Sequence, residues 1–213
     1  MEWHEYNGEE PKDLSTSNAC KIVSRLGKIC NDIFREEREI KTRLIKKNLI
    51  ILGLDLGYIS YANNLKGEDL TEIKHPYVQR ELLYDLIWCT EDECFLMNCM
   101  ELAVECEWSQ RWKSKRRLEW DSTWKLRETS FSGFKYDFQK LLVCNAVLRL
   151  MIFRIKKRAD LDELEEYFDK AIQSYTLLNM GATFLFLAFF EKEEKLYYKE
   201  IVKGSIVSAG HYI

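Results

Sequence analysis

A chain of 213 residues, 46% hydrophobic and 31% charged, holds enough apolar matter for one well-buried domain. Its 32 basic and 35 acidic side chains leave a formal charge of -3, which excludes a global field drawing the protein to nucleic acid; any such attraction has to be local. No run reaches the roughly 18–20 uncharged apolar residues of a membrane span. The seven cysteines, with no CxxC pair and no signal peptide, read as reduced thiols in a cytoplasmic setting rather than as disulfides or paired zinc ligands.

Residues 1–17 are polar, contain Pro11 and are expected to form a loose arm. Asp13 or Ser15 is placed to cap a helix from Ala19 to about Lys47, so that arm and helix together fill residues 1–47. Ile22, Val23, Leu26, Ile29, Ile33 and Ile40 recur at helical spacing, and Gly27 is a weak point between them. The mixed charge of REEREIKTRLIKK reads as a solvated face. Asn48–Leu56 suits a buried strand or the end of the helix, and neither Gly53 nor Gly57 lies in a phosphate-loop frame. A loop-rich connection, YANNLKGEDLTEIKHP, follows.

The next stretch is the most informative. Leu82–Cys89 and Asn98–Trp108 read as two strands joined by a short polar connection at Glu91–Glu93. Alternation puts Leu83, Asp85 and Ile87 on one face of the first, and Ala103, Glu105 and Glu107 on one face of the second. A hairpin centred near Phe95 sets Asp85 opposite Glu105, with Cβ atoms about 4.5–5.5 Å apart. Carboxylates that close repel each other unless a proton or cation lies between them. The plainer alternative is an exposed sheet face on which the acids are solvated.

Residues 109–132 form a basic, Trp-rich insertion. Arg111, Lys113, Lys115, Arg116, Arg117, Lys125 and Arg127 outnumber Glu119, Asp121 and Glu128, and Trp112, Trp120 and Trp124 continue from Trp108. Three readings fit. The indoles cap the sheet beneath Lys and Arg stems; the segment holds phosphates and stacks on unpaired bases; or it is a protein interface.

Phe134–Ala146 is expected to be a helix with Phe134, Phe138, Leu141, Leu142 and Asn145 on one side and Lys140 at its edge. Val147–Ile155 reads as a strand, and Asp160–Leu178 as an amphipathic helix opened by an acidic cluster. Gly181–Phe190 and Lys195–Val202 read as paired strands about a turn at Glu191–Glu194. Helices alternating with an open mixed sheet define an α/β, or α+β sandwich, fold: a mixed central sheet flanked by helices in a single domain over residues 1–213.

Asp85, then Glu105-Cys106-Glu107 about twenty residues later, then the helix containing FKYDFQKLL, resembles the PD-(D/E)xK, or restriction-endonuclease-like, nuclease superfamily. The resemblance covers Leu83 to Arg154 and implies an αβββαβ core. It departs from the family pattern at Tyr84, where Pro is usual, and at Glu107, where Lys is usual. Some members supply that lysine from the following helix, which here points to Lys140. The resemblance implies Mg²⁺ or Mn²⁺ held by Asp85, Glu105 and the backbone carbonyl of Cys106, with Glu107 joining the metal shell or acting as a base. Glu37 or Glu39 would stand where the first helix sometimes adds an acidic ligand. The implied activity is hydrolysis of phosphodiester bonds in nucleic acid, DNA foremost, with Arg111, Trp112, Lys113, Lys115, Arg116 and Arg117 contacting the substrate. A homodimer is compatible with the resemblance and a membrane is not involved. Glu107 in place of Lys favours the alternative, a catalytically inactive module that binds nucleic acid or a protein partner.

Overall fold

Where the apolar runs are continuous, strands lie between two helical layers; where apolar residues recur every three or four positions, helices lie on top. A computed structural model describes residues 2–71, 73, 78–80, 82–110 and 130–204. Their order is β1 (His4–Glu5), α1 (Ser17–Lys28), α2 (Cys30–Arg35), α3 (Arg38–Asp55), β2 (Ile59–Ala62), α4 (Gly67–Leu70), β3 (Leu86–Glu91) and β4 (Met97–Glu107), then α5 (Ser132–Leu142), β5 (Leu148–Ile155), α6 (Asp160–Ser174), β6 (Thr183–Phe190) and β7 (Lys195–Val202). The seven strands form one mixed sheet in the order β1-β7-β6-β5-β4-β3-β2. The inner strands β4, β5 and β6 are parallel, and the flanking pairs are antiparallel. This is an α/β architecture with a mixed sheet flanked by helices. Among the described residues no helix is long and apolar enough to cross a membrane.

Strand β6, TFLFLAFF, is buried at every position because both its faces are covered, the usual condition of a parallel interior strand. Alternate residues feed two cores. Leu86, Trp88, Leu102, Val104, Leu150, Ile152, Leu185 and Leu187 pack against α1 and α3. Ile87, Ala103, Met151, Phe153, Phe184 and Phe186 pack against α5 and α6, where Phe138 and Phe168 meet with ring centroids 4.7 Å apart.

The long N-terminal helix expected over residues 19–47 is divided into α1, α2 and the start of α3. Thr16, not Asp13 or Ser15, caps α1 by accepting a hydrogen bond from the Ala19 amide at 3.1 Å. The second break falls at Glu36 and Glu37, whose backbones are extended. Residues 35–40 are all exposed, so no apolar stripe holds a helix to the core there. The run Asn48–Leu56 continues α3 and is not a strand. Gly53 lets α3 approach the Trp88 indole, whose Nε1 donates to the Leu49 carbonyl at 3.0 Å.

The expected loose arm is docked. Strand β1 pairs with β7, and Trp3 is buried edge-on to Phe153 and Phe186. Ser15 holds Glu200 through its amide and hydroxyl, at 2.8 and 2.9 Å. One large side chain with a place in the core outweighs the polar composition around it.

Candidate active site

Strands β3 and β4 pair with Leu86 opposite Val104 and Ile87 opposite Ala103, a register that leads toward Asp85 and Glu105. Asp85 lies one residue before β3. Its Oδ2 accepts a hydrogen bond from the Cys106 amide at 2.9 Å, and its Oδ1 lies 3.0 Å from the ammonium of Lys46 on α3. Glu105, on β4, is 2% exposed. Its Oε2 lies 2.9 Å from Lys140 Nζ on α5, while its buried Oε1 has no hydrogen-bond partner among the described residues. Lys140 also reaches Asp137 at 2.9 Å. The Cys106 amide thus ties Asp85 to the residue next to Glu105, and each acid meets a lysine from a different helical layer.

Glu107 lies on the α5 side of β4, two residues beyond Glu105. One oxygen accepts from Arg38 at 2.8 Å and from the Ser109 amide at 2.6 Å. Arg38 in turn donates to the Ser109 hydroxyl at 2.6 Å. Burial raises the Glu105 carboxyl to about 8, with the negative charge of Asp85 adding to the effect and Lys140 opposing it. Asp137 is raised to about 6, first by burial; Lys140 works against this, and the charge of Glu107 with a shared hydrogen bond works for it. Burial disfavours the Lys140 cation, yet Glu105 and Asp137 together outweigh burial and raise its pKa.

The structure thus brings Asp85, Glu105, Glu107, Lys140 and the Cys106 amide into one neighbourhood. The Cys106 thiol is buried on the α1–α3 side, where burial pushes its pKa well up. Arg111, Trp112, Lys113, Lys115, Arg116 and Arg117 lie outside the described residues. Trp108, just before them, is a core residue: it is 2% exposed, and its Nε1 donates to the Thr42 hydroxyl at 2.8 Å. Glu39 lines the cavity beside Asp85, and Glu37 stands at the N-cap position of α3 without a side-chain capping bond.

Three partners were not singled out by sequence. Asp137 had a local signal, being one turn before Lys140 on the same helix. Lys46 and Arg38 had none, because their places depend on how α3 packs across the sheet. Among the described residues, no group of three or more His, Cys, Asp or Glu side chains is arranged to hold a metal ion. No family model, curated protein or solved structure matches this chain.

Proposed function

We propose that this protein is a metal-dependent nuclease of the PD-(D/E)xK kind that hydrolyses phosphodiester bonds in nucleic acid, DNA foremost. The observation that carries this reading is Glu105: a carboxyl group buried on β4, one oxygen on a helix-borne lysine and the other without a partner among the described residues. A buried polar atom left unpaired costs about 1–3 kcal/mol, and a cation bound there would satisfy it. The order α3, antiparallel β2-β3-β4, α5, parallel β5 supports the reading as well, since it matches the αβββαβ core that the resemblance implies.

Asp85 and Glu105 are the residues that would hold Mg²⁺ or Mn²⁺, hard ions that favour carboxylate oxygen and keep several waters. When bound, such an ion lowers the pKa of water and stabilises charge on a phosphoryl oxygen. The remaining roles belong to the chain. Lys140, kept cationic by Glu105 and Asp137, orients a water or balances charge building on the phosphate. Arg38 fixes Glu107, and the Cys106 amide fixes Asp85.

The test is cleavage of linear and plasmid DNA in Mg²⁺ by the parent, Asp85→Ala, Glu105→Ala and Lys140→Ala, with Mn²⁺ binding followed by calorimetry. Loss of one transition-state contact is worth about a hundredfold or more in rate. Variants of Asp85 and Glu105 that cleave as fast as the parent overturn the assignment.

A second reading has its own observation. Asp85 and Glu105 already carry lysine partners, and Glu107 is neutralised by Arg38. A scaffold so balanced without metal suits a catalytically inactive module that binds nucleic acid or a protein partner. Absence of Mn²⁺ binding together with absence of cleavage selects it.

A further inference from the structure

A cavity of about 550 Å³ opens beside Asp85 on the α3 side of the sheet. Four cations line it: Arg38, Arg43 and Lys46 from α3, and Lys66 from the loop before α4. They face two acids, Asp85 and Glu39, with Thr42 and Asn64 as neutral hydrogen-bonding groups.

These cations are held in different ways. The Lys46 side chain is 3% exposed and set by Asp85 and by Asn63, each at 3.0 Å. Arg43 is fixed by Asp69 at 2.8 Å and Glu68 at 2.7 Å, with Asp69 anchored by the Lys66 amide. These two are preorganised at the wall, which lowers the cost of ordering them around a ligand. Arg38 is exposed but tied to Glu107 and Ser109, which leaves Lys66 as the exposed cation of the outer wall. Arg, Lys, Thr and Asn around a concavity are the side chains that take phosphate and sugar oxygens of nucleic acids. The volume falls within the range of small-ligand sites, so it suits one nucleotide unit rather than the flat flank of a duplex. Arg38 spans from this cavity to Glu107, placing the opening in line with the acid–lysine cluster.

We propose that this cavity holds a backbone phosphate of a nucleic-acid strand leading up to Asp85, an inference that rests on the nuclease reading and adds the path of its substrate. Lys66 is the phosphate contact at the outer wall.

The test is fluorescence anisotropy with a labelled 12-nucleotide single strand in EDTA, using the parent, Lys66→Glu and Lys192→Glu. Lys192 is exposed in the β6–β7 turn and gives the same change of net charge far from the cavity. Lys66→Glu should weaken binding about tenfold and reduce the slope of affinity against salt by about one, while Lys192→Glu stays near the parent. Equal effects of the two variants overturn the proposal, as does a parent that binds no strand. Full displacement of the strand by millimolar inorganic phosphate identifies a small-anion pocket and also overturns it. Cleavage by the same proteins is scored separately. A parent that cleaves but binds independently of Lys66 removes this subsite and leaves the nuclease. Lys66-dependent binding without cleavage leaves the subsite and removes catalysis.

Discussion

Glu105 makes the stability of the metal-free protein depend on pH in a direction opposite to that of an ordinary salt-bridged carboxylate. Its pKa rises from 4.5 to about 8 on folding, chiefly by burial. The folded chain therefore keeps this proton to higher pH than the unfolded chain, and the associated stability is present below 4.5 and lost as pH rises through 8. At about 1.4 kcal/mol per pH unit the full displacement is worth at most about 5 kcal/mol. A scan from pH 6 to 9 captures the upper part, about 2–3 kcal/mol. With a urea slope of about 2–3 kcal/mol/M, that is a fall of about 1 M in unfolding midpoint. Glu105→Gln keeps the shape and removes the titration, so its midpoint should lack that component. Asp137, raised to about 6, shares Lys140 with Glu105, so the comparison is read above pH 7, where Asp137 is ionised in both proteins. The measurement is urea unfolding followed by tryptophan fluorescence in EDTA across this range. Parallel pH profiles for parent and variant would refute the account of a carboxyl whose burial outweighs its lysine.

Two further outcomes follow from packing. Phe138 sits against Phe168, Phe184 and Phe186 at 4.7, 5.8 and 6.0 Å between ring centroids. Phe138→Ala should cost about 3–5 kcal/mol, a Tm lower by roughly 6–20 °C in calorimetry, and a drop under about 3 °C would contradict the packing described. A Cβ at Gly53 would lie 2.5 Å from Trp88 Nε1, so Gly53→Ala must push the indole off its hydrogen bond to Leu49. The overpacking cost of about 1–3 kcal/mol exceeds the roughly 1 kcal/mol gained in helix propensity. A net loss of stability with altered near-UV circular dichroism is expected, and a stabilised variant would count against the contact.

Strand pairing was the most legible feature of the sequence, because a period of two ties face and register to residue number. The symmetry about Phe95 that set Asp85 against Glu105 is the symmetry that pairs Leu86 with Val104 and Ile87 with Ala103. The register shifts after Trp88 and after Thr90 were not visible, since a bulge changes no local pattern. The turn at 191–194 was legible from its charges between two apolar runs. Asn48–Leu56 was ambiguous for a physical reason: an apolar run reads alike on a buried strand and on a buried helix. The site was half legible. Its acids and Lys140 stand on elements adjacent in the chain, whereas Lys46 and Arg38 arrive from α3, and only packing across the sheet makes them neighbours.

Pairing between β1 and β7 sets the order in which this molecule can be completed. His4 lies opposite Tyr198, so every residue between them must be synthesised before that ladder can close. At about 5–20 residues per second, the ribosome releases β7 many seconds after β1 has emerged. Until Phe153 and Phe186 are in place Trp3 has no slot to enter, and its indole stays in water. The closing of that slot is a late, long-range step of the kind that slows folding. It also covers the sheet edge at Tyr197 and Tyr198, an edge that is otherwise a template for pairing with other chains.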